Sequence, residues 1–141
     1  MTNMKKAILL SLAIAAFIFS TAFTSQDDKL KKSMAAGQDL YAGICLACHM
    51  QNGEGISGVF PPLAKSDFLM ADVDRNIKNL IEGLSGEITV NGVKYNQVMP
   101  ASGLDDQDIA DVLNYVMNSW GNKAEDFVSK EKVAKVRGSL K

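Results

Sequence analysis

The chain has 141 residues, a formal net charge of −1 and 47% hydrophobic residues. That length suits one domain of ordinary size. The charge balance argues against nucleic acid as a partner, which needs a basic surface.

Residues 1–25 carry Lys5 and Lys6, an apolar run from Ala7 to Phe19 broken only by Ser11, and then Ser20, Thr21 and Ala22. A charged start, a short apolar run and a small-residue exit predict a secretory signal peptide. The run is short of the roughly 20 apolar residues of a membrane span. No integral membrane span is therefore expected after signal removal. Residues 26–32 (QDDKLKK) read as a frayed polar leader. They would precede a domain over 33–121 and a polar tail over 122–141.

A first helix is predicted with Ser33 as its N-cap. Gly37, Leu40, Tyr41, Ile44, Cys45 and Cys48 fall on one helical face. Gly37 costs about 1 kcal/mol against alanine in a helix, which close approach of another helix would explain. The stretch C-L-A-C-H at 45–49 holds both cysteines and the only histidine. A glycine-rich loop (52–58) and Phe60-Pro61-Pro62-Leu63 follow. The prolines forbid regular helix there.

A second helix is predicted from about Asp72 to Glu82, with Val73, Ile77, Leu80 and Ile81 as its stripe and Gly83 as its stop. Residues 87–98 predict a small β-hairpin around Asn91-Gly92, a pair suited to a two-residue primed turn. Asp105 can cap a third helix, stapled by Leu104 and Ile109. Its face is Ile109, Val112, Leu113, Val116 and Trp120, and Gly121 is placed as its C-terminal glycine. The tail reads as solvated, or as a docking element, with a short helix from Ser129 to Arg137. The apolar stripes are few, and a flat apolar cofactor could complete the core.

Four chemistries compete for Cys45, Cys48 and His49. A structural zinc site wants four ligands, and the cysteines and histidine supply only three. A thioredoxin-like dithiol opens a helix in a βαβ unit, whereas this one closes a helix. A disulfide across two residues constrains little chain and leaves His49 unexplained. Covalent haem attachment uses all three residues. The thiols add to the two vinyl groups, and His49 then lies under the ring with Nε2 aimed at iron.

With one histidine in the chain, the remaining good sixth ligand is a thioether. Five methionines follow the signal: Met34, Met50, Met70, Met99 and Met117. Met50 adjoins His49 and cannot reach the opposite face of a ring. Met34 precedes the first helix face, and Met70 and Met117 suit packing, the usual role of methionine, with Met70 the second choice as ligand. Met99 is preferred: it lies 50 residues beyond His49, and Pro100 stiffens the loop after it.

The chain resembles class I cytochromes c of the bacterial respiratory type over nearly all of the region after the signal. The matching residues are Gly37 and Tyr41, C-L-A-C-H at 45–49, F-P-P-L at 60–63, V-M-P at 98–100 and D-I-A-D-V-L-N-Y-V at 108–116. The stretch from Phe68 to Trp120 is similar to single-haem cytochromes and fused cytochrome domains of bacterial respiratory enzymes. The resemblance implies an all-α cytochrome c fold, with three core helices around one haem c attached through Cys45 and Cys48. The hairpin would be an insertion. The last helix would cross the first at Gly37, near Val112 and Tyr115. Met99 would be the distal ligand, and the Pro61 carbonyl would accept a hydrogen bond from His49 Nδ1–H.

An iron closed by His49 and Met99 leaves no vacant site for a substrate. The expected function is electron transfer, not catalysis, by a periplasmic monomer whose partners are a reductase, an oxidase or a dehydrogenase. Two alternatives stand beside it. One is a haem subunit docked permanently to a dehydrogenase, nitrite reductase or terminal oxidase. The other is a haem enzyme or gas sensor with a labile sixth ligand.

Overall fold

The computed structural model describes residues 26–140. The expected signal peptide, residues 1–25, lies outside them. The chain divides into two units, residues 1–32 and 33–141. In the first, residues 26–32 are helical instead of frayed.

In the second unit, α1 covers residues 33–40. Ser33 is not an N-cap: its backbone is helical, and its buried hydroxyl donates to the Asp111 carboxylate. A π-helical turn, Tyr41–Cys45, follows α1 and leads into the short α2, Leu46–His49. The next three helices carry side-chain caps. Ser66 caps α3 (Asp67–Ala71) by accepting from the Leu69 amide, and Asp72 caps α4 (Val73–Glu82) by accepting from the Arg75 amide. Asp105 caps α5 (Asp106–Val116) by accepting from the amides of Gln107 and Asp108. Each cap satisfies donors that the first helical turn leaves unpaired.

The hairpin pairs β1 (Ile88–Val90) with β2 (Val93–Tyr95), antiparallel, with Val90 opposite Val93. Asn91 (φ 49°) and Gly92 (φ 79°) both take the left-handed backbone of a primed turn. The strands stop short of the predicted 87–98. In this register Glu87 would pair next with Asn96 and Gly86 after it with Gln97, and the Gly86 φ of 96° turns the chain out of the extended region.

The core is built from the predicted stripes. Ile109, Val112, Leu113 and Val116 of α5 are buried together with Ile77 and Leu80 of α4. At the α1–α5 crossing, a Cβ on Gly37 would lie 2.0 Å from the Asp111 carbonyl oxygen and 2.9 Å from Tyr115 Cβ. Only glycine fits there. Helix α5 ends earlier than predicted. Trp120 has φ 54°, and its ring packs 5.1 Å from that of Tyr41.

The tail packs on the domain with one face and leaves the other exposed. Its helix α6 (Lys130–Ser139), capped by Ser129, packs on α4 and α5 and buries Val133 completely. Arg137 Nε donates to Asp106 (2.6 Å), and its guanidinium also reaches the Leu104 carbonyl. Asn114, fully buried on α5, holds the start of the tail. Its Nδ2 donates to the Val128 carbonyl (2.8 Å) and to Ser33 Oγ (2.9 Å), and its Oδ1 accepts from the Val128 amide (2.9 Å). No helix among the described residues is long and apolar enough to cross a membrane.

Candidate functional site

A cavity of about 220 Å³ lies between α2, α4, α5 and the hairpin. One water needs only about 10–15 Å³ measured this way, and packed interiors hold few voids larger than a water. Cys45, Cys48, His49, Pro61 and Met99 all line it. Met99 is the only methionine among the described residues that does so. Met117 is buried in the core, and Met70 packs against that core instead.

The His49 wall begins at the π-helical turn. The Leu46 amide bonds back to the Tyr41 carbonyl, five residues earlier. The extra residue re-aims the side chains that follow relative to an unbroken α-helix, a common role for such turns at functional sites. Tyr41 anchors the turn: its ring is buried, and its hydroxyl donates to the Met50 carbonyl (2.5 Å). After Met50 the chain folds back, and the Gly55 amide donates to the His49 carbonyl (3.0 Å).

This fold-back delivers Pro61. His49 Nδ1 lies 3.0 Å from the Pro61 carbonyl oxygen. A carbonyl only accepts, so Nδ1 carries the proton and Nε2 keeps its lone pair. Burial lowers the His49 pKa, opposed in part by the Pro61 hydrogen bond. The ring is therefore a neutral, oriented donor. Gly55 makes the approach possible. It has φ 63°, and a Cβ there would lie 2.3 Å from the Phe60 carbonyl oxygen and 2.7 Å from that of Pro61. Gly53 likewise leaves room for the Trp120 ring.

The Met99 wall is held by main-chain bonds. Met99 and Leu84 exchange amide-to-carbonyl bonds of 2.8 and 2.9 Å. Ser102 donates twice to the Leu80 carbonyl, from its amide (2.9 Å) and its hydroxyl (2.7 Å). The segment 99–102 is thus stapled to the C-terminal end of α4. Gly83 is more than a helix stop. It has φ 83°, and a Cβ there would lie 2.7 Å from the Met99 carbonyl oxygen.

The surroundings of Cys45 do not favour its thiolate. Burial, with the neighbouring Cys48, pushes the Cys45 thiol up to about 11, whereas reactive thiols and metal thiolates sit in surroundings that lower it. A large apolar cavity edged by two thiols, one neutral imidazole and one thioether fits haem c, and these residues are the ones that would hold it.

The sequence did not expose the whole lining. Phe68 and Leu69 of α3 and Ile88 and Val90 of β1 also face the cavity. The Ser66 cap just before Asp67-Phe68-Leu69 was the available signal for α3.

Comparison with known proteins agrees with this geometry. The cytochrome c family model matches residues 34–120. Cytochrome c-552 of Thermus thermophilus is 42% identical over 117 residues, covering 77% of this chain and 78% of the relative. Cytochrome c6 of Synechocystis is 32% identical over 119 residues, covering 82% and 91%. The cytochrome c subunit of a quinone alcohol dehydrogenase from Gluconobacter oxydans is 33% identical over 104 residues, covering 72% of this chain but 22% of that subunit. The chain belongs to the cytochrome c family, as a single-haem class I member that holds haem c through Cys45 and Cys48 and carries electrons instead of catalysing a reaction.

Proposed function

We propose that His49 and Met99 would hold the iron of haem c, and that the chain is an exported, freely diffusing carrier of single electrons. Its partners are respiratory redox proteins of the reductase, oxidase or dehydrogenase type. The observation that carries this reading is that His49 and Met99, from segments 50 residues apart, line one apolar cavity.

Haem c supplies a one-electron Fe(III)/Fe(II) couple when bound. The chain's own residues then do three things. Pro61 orients the imidazole and makes it a better electron donor through Nδ1–H. The Leu84 bridge and the Ser102 bonds fix the backbone from which the Met99 thioether projects. The apolar walls exclude water and, with the thioether, would favour the less charged ferrous state and so a higher potential.

Export is supported by the charged start, apolar run and small-residue exit of residues 1–25. That pattern supports a periplasmic location. The free-carrier reading follows the relatives that the chain matches over most of their length. The chain spans 78% of cytochrome c-552 and 91% of cytochrome c6, against 22% of the dehydrogenase subunit. Size-exclusion chromatography of native periplasm tests it: a monomer is expected, and co-elution with an enzyme would replace it with the docked-subunit reading.

Carbon monoxide tests the ligands. The reduced native protein is expected to bind it poorly, and the Met99→Ala variant to bind it readily. Rapid binding by the native protein would favour a labile sixth position and a gas-sensing or enzymatic role. A Met99→Ala variant that keeps a six-coordinate thioether spectrum would overturn the assignment.

A further inference from the structure

The hairpin has an attachment that its apolar face does not explain. Asn91 is the first residue of the β1–β2 turn, and Asp67 is the first residue of α3. The Asp67 amide donates to Asn91 Oδ1 (3.1 Å), and the Asn91 amide donates to Asp67 Oδ1 (2.7 Å). Each residue thus caps the backbone of the other across 24 positions of chain. Both residues are at the surface. The elements they join, α3 and β1, line the cavity through Phe68, Leu69, Ile88 and Val90.

A two-stranded hairpin is marginally stable by itself in water. Burial of Val90 and Tyr95 holds this one from inside. We propose that Asp67 and Asn91 form a latch that holds β1 against α3, seals that side of the haem cavity from water, and so helps to set the haem potential. Asn91 suits both of its tasks. Asparagine tolerates the left-handed backbone its place in the turn requires, and its side chain supplies the acceptor. The proposal rests on haem c occupying the cavity and not on Met99 being a ligand. Solvent access to a haem is one of the properties that set its potential. A wall that opens admits water, favours the more charged ferric state and lowers the potential.

The full haem-loaded chain provides the test, read by redox titration and by hydrogen exchange of the hairpin amides. Asn91→Gly removes the acceptor yet keeps the turn, because glycine takes positive φ freely. It is expected to quicken hairpin exchange about tenfold, the scale of losing a hydrogen bond, and to lower the midpoint potential. Asn91→Asp should do the same by setting two carboxylates side by side. Asp67→Asn combined with Asn91→Asp exchanges the two roles and should return both readings toward native. An unchanged potential in Asn91→Gly overturns the proposal even if exchange quickens. A double variant as disturbed as Asn91→Asp overturns it as well. Haem that leaves the native protein on denaturing extraction would instead overturn covalent attachment, a separate failure.

Discussion

The two walls of the haem cavity are built in different ways. The His49 wall comes from one stretch, residues 41–62, in which a π-helical turn, a glycine loop and two prolines follow one another. Its key contact, His49 Nδ1 to the Pro61 carbonyl, spans 12 positions. The Met99 wall is assembled from distant pieces: the end of α4, the hairpin and the loop at 99–102. One wall is nearly complete once its segment folds, and the other needs the rest of the domain. Mutations in the first should therefore act on His49 and overall stability. Mutations in the second should act on how firmly the thioether is held.

The largest effect is expected from Gly55→Ala. The new methyl meets two carbonyl oxygens at a positive φ, and strain of this kind costs about 3 kcal/mol. Denaturant unfolding should show that loss. The Pro61 carbonyl is displaced, the imidazole donates less, and the midpoint potential should rise. Gly83→Ala makes the matching lesion on the other wall. It should cost about 2 kcal/mol and speed carbon monoxide binding to the reduced protein, because the Met99 backbone is pushed aside. A Gly55→Ala variant that speeds this binding as much as Gly83→Ala would erase the distinction between the walls. The smallest effect is expected from Ser102→Ala, which loses one of two bonds to the Leu80 carbonyl. It should cost about 1 kcal/mol and quicken carbon monoxide binding modestly, with the His49 side unaffected.

The same contrast explains what the sequence disclosed. C-L-A-C-H was legible because its chemistry is contiguous. Helix α5 was legible because Asp105, Leu104 and Ile109 mark its start and its stripe is amphipathic. Met99 stood out by its distance from His49 and by Pro100. The π-helical turn left no mark, since the side chains of Tyr41–Cys45 read equally well as α-helix. The packed tail was hidden for a different reason. Helix α6 is rich in lysine with few apolar residues, and what seats it is Asn114, a polar residue in a helix read for its apolar stripe. Pattern reading finds burial along one element. It does not find a hydrogen bond whose partners lie 14 or 81 positions apart.

The Asn114 knot has a consequence for how the chain is made. It joins Ser33, near the start of the domain, to Val128, near its end. A chain synthesised from its N-terminus cannot complete this knot until Val128 has emerged. Contacts of such long separation also form late, because they close large loops. Cys45, Cys48 and His49 are made well before the last helix exists. The order of synthesis therefore leaves an interval in which the attachment residues are present and the domain that encloses them is not yet shut.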